Sequence, residues 1–161
     1  MPESSRHPQL PELLAGWFAA RGWRLRAHQA EMIDAAQDGA HALLVAATGA
    51  GKTLAGILPS LTELIRQPDF DGLHTLYVSP LEALAVDVQR NLLGPIAEMG
   101  LEIRVETRTG DTPSDRRARQ RARPPQMLLT TPESLSLLLS YPDADRLFGS
   151  LRTLVIDEVH A

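Results

Sequence analysis

The sequence contains no cysteine, which excludes a disulfide framework and any thiolate metal site. Aromatic residues make up only 4% of it. No apolar run approaches the ~20 residues that a membrane-spanning helix needs. Met1 to Leu10 is polar and proline-bearing and lacks the apolar stretch of a secretory signal. These absences predict a cytoplasmic protein with no membrane partner. Lysine is almost missing: of 16 basic residues all but one are arginine, and the exception is Lys52. Net charge is −4, so no general affinity for nucleic acid follows from the total. The arginines do cluster between Arg104 and Arg123, and a local basic face can act where the total does not.

What is present suits a globular domain. With 161 residues, 43% of them hydrophobic and 22% charged, one core can form. Apolar spacing predicts amphipathic helices over Pro11–Arg21 and Ala27–Gln37, punctuated by Gly22 and Gly39. Beyond them short apolar runs alternate with helical stretches. Strands are expected at His41–Ala47, Thr75–Ser79, Leu101–Thr107, Met127–Thr130 and Leu151–Ile156. Helices are expected at Lys52–Arg66, ended or kinked by Pro59, and at about 81–93, Pro113–Ala122 and Pro132–Ser140. Such alternation implies an α/β fold with a mostly parallel sheet, its strands buried on both faces. The last strand lacks a returning helix, so the C-terminus reads as a truncation.

Ala46-Ala47-Thr48-Gly49-Ala50-Gly51-Lys52-Thr53 follows the first apolar run and opens a helix. This is the P-loop pattern with alanine in place of its first glycine. Small residues let the backbone turn tightly, so that successive N–H groups face phosphate oxygens and the helix dipole adds positive charge. Thr48, Gly49, Ala50 and Gly51 would form that cradle, Lys52 would meet the β- and γ-phosphates of ATP, and the Thr53 hydroxyl would bind Mg²⁺. A glycine-rich turn that merely caps a helix is the competing reading. The sole lysine falling on the required position favours the phosphate loop.

Leu154-Val155-Ile156-Asp157-Glu158 is an apolar strand ending in two acids. At the C-terminal edge of a parallel sheet such acids face the ligand crevice. Asp157 would hold Mg²⁺ directly or through water, and Glu158 would orient and deprotonate the attacking water. Acids at a strand end also make ordinary turns; the phosphate loop upstream weights the pair toward catalysis.

Asp157-Glu158-Val159-His160 resembles the DExH form of motif II in superfamily 2 helicases, and residues 47–53 resemble their motif I. Arg26-Ala27-His28-Gln29, after Phe18 and Trp23, is similar to the adenine-reading Q-motif region. The segment 79–85 resembles motif Ia, Thr130 to Leu135 motif Ib, and Arg108 to Thr112 the GDT loop between them. Longer phrases, among them RGWRLRAHQ, YVSPLEALAVDVQRNL and RTGDTPSDRRARQR, resemble the Lhr (large helicase-related) group, in particular its ligase-associated DEXH-box branch. The resemblance runs from about residue 10 to the end.

It implies a RecA-like lobe over 10–161, truncated after motif II, behind a weakly ordered segment 1–9. Gln29 would bond the adenine edge, with a helix-surface glutamine as the plain alternative. Pro80, Thr109, Gly110, Thr131 and Pro132 would grip the backbone of single-stranded or partly duplex DNA. His160 would couple the nucleotide state to a second RecA-like lobe. Glu82 departs from the family, whose members carry a cation there. The arginines of 113–122 spread around their helix and suit a solvated face as well as a DNA contact. The implied function is ATP- and Mg²⁺-dependent translocation on DNA with unwinding, 3′-to-5′, in DNA repair, near the nucleoid. RNA or an RNA–DNA hybrid is the alternative substrate. The rivals are a nucleotide-binding scaffold without motor activity and a transporter ATPase, but the LSGGQ-type signature that a transporter ATPase needs is missing.

Overall fold

The computed structural model describes residues 8–47, 49, 51–80 and 91–159. They fall into two compact units, Met1–Arg66 and Gln67–Ala161.

The first unit is helical. Helix α1 spans Glu12–Ala20, α2 spans Ala27–Gln37 and α3 spans Lys52–Arg66. Leu14, Ile33, Ala55, Ile57, Leu58 and Leu61 are fully buried in it. Gly22 and Gly39 stand at positive φ just beyond α1 and α2, the conformation that stops a helix without a Cβ penalty. Two expectations fail here. Pro59 does not end α3, which runs through it to Arg66; the missing N–H costs one bond, and burial of Ile57, Leu58, Pro59, Leu61 and Leu64 offsets it. The run His41–Ala47 is not a strand: it forms no ladder among the described residues, and Leu43 and Val45 are 79% and 85% exposed. Apolar composition licenses a strand, but only a partner makes one.

The second unit holds a four-stranded sheet ordered β2-β3-β1-β4. Its strands are β1 (Thr75–Val78), β2 (Val105–Arg108), β3 (Met127–Thr130) and β4 (Thr153–Ile156). All three pairings are parallel. The central strands β1 and β3 are buried throughout, as expected. The outer two are only partly covered: in β4, Leu154 and Ile156 are exposed, because an edge strand has a single neighbour. Helices α4 (Gly94–Glu98), α5 (Ser114–Ala122), α6 (Pro132–Ser140) and α7 (Ala144–Phe148) complete the unit. Leu73, Leu76, Val78, Leu128, Leu138 and Leu147 form one core cluster on a face of the sheet. The helix expected over 81–93 lies largely outside the described residues; α4 and α7 are additions to the expected order.

The register has one feature that matters for function. Arg108 pairs with Thr130, Thr130 with Val78, and Val78 with Ile156. These are the last residues of the four strands, so all four end level. The next residues, Thr109, Thr131, Ser79 and Asp157, therefore leave along one rim, in that lateral order.

Candidate functional site

The expected site divides between the two units. In the first, Gly49 and Gly51 stand at φ +81 and +76, conformations that an L side chain resists. The Gly51 carbonyl accepts the Ala55 N–H at 3.0 Å, the first turn of a helix that begins at Lys52. Lys52 and Thr53 are both half-buried. Thr48 and Ala50 lie outside the described residues. Two left-handed glycines leading into a helix N-terminus are what a phosphate cradle requires, and the helix there continues for 15 residues.

Gln29 is buried, 3% exposed, on the first turn of α2. Its Oε1 accepts the Arg26 N–H at 3.0 Å. Its Nε2 stands 3.1 Å from where a Cβ on Gly51 would lie, and Arg26 Nη1 3.8 Å from the same point. Gln29 is thus not the helix-surface glutamine of the plain alternative. It packs against the phosphate loop with its carbonyl end already used and its amide end beside the loop. Earlier in the chain, the Arg21 guanidinium lies over the rings of Trp17 and Trp23 at 4.7 and 5.4 Å, and Trp23 is half exposed.

In the second unit Asp157 follows β4 directly. Its Oδ2 accepts the Tyr77 hydroxyl at 2.6 Å and its Oδ1 accepts the Glu158 N–H at 2.9 Å. Glu158 has φ +53 and is the one non-glycine at positive φ among the described residues. Such a backbone costs about 1–2 kcal/mol and is held by its surroundings. Here the bond from the Glu158 N–H to Asp157 helps to hold it. His160 lies outside the described residues.

The expected nucleic-acid segments share the rim. Gly110 and Pro132 are exposed, and Pro80 and Thr109 half-buried. Thr131 is buried, and its Oγ1 accepts the Ser134 N–H at 3.3 Å as the N-cap of α6. Its hydroxyl is thus a structural cap. The Ser79 hydroxyl, between Thr131 and Asp157 on the rim, is buried with no hydrogen-bond partner among the described residues. Residues 81–90, including Glu82, lie outside them.

Of the arginines, sequence reasoning missed the one that matters most. Arg108, at the end of β2, is 1% exposed. Its Nη1 donates to the Arg117 carbonyl at 3.0 Å, with Gln120 Oε1 at 3.5 Å, and its guanidinium lies 5.9 Å from the Tyr141 ring centre. Loss of hydration in this pocket lowers the Arg108 pKa, partly opposed by Tyr141. Arg121 stacks on the other aromatic contact, 3.8 Å from the Tyr141 ring, and bonds Asp143 at 2.6 Å. Arg119 lies 3.5 Å from Glu106. Several arginines of the basic run therefore fasten α5 to the sheet and to the α6–α7 junction. The sequence carried no signal for it: the alternation of Leu101, Ile103 and Val105 puts Arg108 with Glu102 and Arg104 on the polar face.

Among the described residues no group of three or more potential ligands could hold a metal by itself, and no helix is long and apolar enough to cross a membrane.

Comparison with known proteins agrees with this arrangement. Residues 26–161 match the family model described as DEAD/DEAH box helicase. The chain is 42% identical over 158 residues to a Lhr helicase/probable uracil glycosylase of Mycolicibacterium smegmatis, covering 90% of this chain and 10% of that protein. It is 36% identical to the ATP-dependent helicase Lhr-Core of Methanocaldococcus jannaschii, covering 90% of this chain and 19% of the relative. The solved Mycobacterium smegmatis helicase Lhr bound to ssDNA and AMP-PNP superposes with a TM-score of 0.82 at 40% identity, over 94% of this chain and 20% of that one. The chain thus spans between a tenth and a fifth of these relatives' length. With that model matched over residues 26–161 and a four-stranded parallel sheet, the chain belongs to the DEAD/DEAH box helicase family.

Proposed function

We propose that residues 10–161 are the ATP-binding lobe of a Lhr-like helicase that couples Mg-ATP hydrolysis to movement on single-stranded DNA. The observation that carries this is the loop from Gly49 to Thr53: two left-handed glycines, the chain's sole lysine at a helix N-terminus, and a buried glutamine against the loop. Lys52 would neutralise the β- and γ-phosphates, and the amides around Gly49, Ala50 and Gly51 would fix their orientation. The Gln29 amide end would select the base, with Trp23 exposed nearby in sequence to lie against it. Thr53 and Asp157 would hold Mg²⁺, which when bound neutralises phosphate charge. Glu158 would orient the attacking water and take its proton.

The nucleic-acid strand would cross the rim at Pro80, Thr109, Gly110 and the helix start at Pro132, where backbone amides and hydroxyls hold phosphate without reading bases. Thr131 would contribute through its backbone, its hydroxyl being occupied. A second lobe would close over the nucleotide, with His160 relaying its state, and closure would advance the strand. Binding of ssDNA and AMP-PNP by the solved Mycobacterium smegmatis relative supports DNA as the track. Repair of DNA in the cytoplasm is the setting that this reading fits.

The test is ATP turnover by the complete gene product, alone and with single-stranded DNA or RNA, together with strand displacement on a tailed duplex. Stimulation by DNA and displacement are expected. Stimulation by RNA alone would move the substrate to RNA, and no stimulation by either would leave a nucleotide-binding scaffold.

A further inference from the structure

Tyr77 sits inside β1, 1% exposed and flanked by the core residues Leu76 and Val78. Packing alone would be served by phenylalanine. A buried phenol needs a hydrogen-bond partner, and this one finds Asp157 Oδ2 at 2.6 Å, eighty positions away in sequence. The sheet explains the meeting. Tyr77 pairs with Val155, and Asp157 is two residues beyond Val155, hence on the same face. The remaining oxygen, Oδ1, is held by the Glu158 N–H at 2.9 Å. One donor on each oxygen fixes both torsions of the carboxylate and leaves further lone pairs on each for a cation or its water.

We propose that Tyr77 is a positioning residue for the metal-holding carboxylate: its hydroxyl sets the Asp157 rotamer and thereby the affinity for the divalent cation. The inference rests on the assignment of Mg-ATP to Asp157. Outer donors of this kind orient ligating carboxylates, and their removal costs about 10–100-fold in metal affinity. Tyr77 also belongs to the strand that continues into Ser79 and Pro80, so the hydrogen bond ties the carboxylate to the rim where nucleic acid is proposed to lie.

Tyr77→Phe in the complete gene product removes one oxygen and keeps the ring. Three readouts separate positioning from packing: Mn²⁺ affinity in the presence of a non-hydrolysable ATP analogue by electron paramagnetic resonance, the Mg²⁺ concentration for half-maximal turnover, and nucleotide affinity in EDTA. The first two are expected to weaken roughly tenfold, with nucleotide affinity in EDTA and the thermal midpoint unchanged. Asp157→Asn is measured alongside. If Asp157→Asn loses the cation and Tyr77→Phe keeps it, the positioning role is overturned while the Mg-ATP assignment stands. If Asp157→Asn binds Mn²⁺ as the parent does, both fall. A Tyr77→Phe loss that follows a lowered thermal midpoint also overturns the proposal.

Discussion

Gln29 Nε2 lies against Gly51, 3.1 Å from the point where a Cβ would stand. The contact packs the loop before α3 against the first turn of α2, and a Cβ at a residue that is already left-handed would push the glutamine amide by a few tenths of an ångström. Gly51→Ala should therefore suffer twice, from φ +76 and from the glutamine. The backbone part costs about 1–2 kcal/mol. Urea unfolding should show that loss, and nucleotide affinity should fall with it. Gly49→Ala, at φ +81 with nothing within 4 Å, should lose the backbone part alone.

Lys52→Ala should abolish ATP turnover and leave the fold intact, since the side chain is half-buried at the first residue of α3 and outside the apolar core. In the proposed role, losing the charge on Lys52 would cost several kcal/mol in the transition state, or about a hundredfold or more in rate. Turnover near the parent level, with an unchanged circular dichroism spectrum, would remove the phosphate-loop assignment.

Arg108→Met tests the buried guanidinium. The substitution keeps the apolar stem and removes the bonds to Gln120 Oε1 and to the Arg117 carbonyl, which stays within its helix, with Gln120 left to Glu106 and Thr107. Losing a hydrogen bond from a charged donor costs about 1.5–3 kcal/mol. The denaturation midpoint should fall accordingly. Because Arg108 borders the Thr109–Thr112 turn, which is closed by a 2.9 Å bond from the Thr109 N–H to Thr112 Oγ1, DNA stimulation should weaken while basal nucleotide affinity holds.

Asp143 gives a pH prediction. Its pKa lies below the ordinary 3.8, first because Arg121 donates to it and then through the charges of Arg121 and Arg146. A depressed folded-state value means that the stabilisation is complete above 3.8 and fades as pH falls from there through the folded value. Asp143→Asn should flatten that acid limb and leave the slope at neutral pH unchanged. Thermal midpoints recorded from pH 6 down to about 2 check this; an acid limb identical in the two proteins would count against it.

Much of the fold was written locally. Ala27–Gln37 and Pro132–Ser140 fall where periodicity and capping place them, because a helix is decided by its own residues, and Met127–Thr130 falls where its apolar run places it. The run His41–Ala47 shows the limit: Leu43 and Val45 have the composition of a strand, but a ladder depends on a neighbour that composition does not name. The short helix Ala144–Phe148 carries only five residues and too little period to be seen. At the candidate site, the glycines, Lys52 and the acids stand out in the sequence because the chemistry proposed for them is tied to fixed spacing. Tyr77 was not, since its partner is remote and only the strand register brings them together. The capping role of Thr131 was equally hidden, since a hydroxyl at a helix start serves as a cap as readily as a phosphate ligand.

Because the four strands stop at one height, the ladder acts as a datum from which each departing loop is measured. Residues can be gained or lost in any single loop, and only that loop's reach changes. One residue inserted inside β3 would do something else. It would turn Leu128 out of the core and lift the start of α6 away from its neighbours, so evolution can tune grip by loop length but cannot trim the strands.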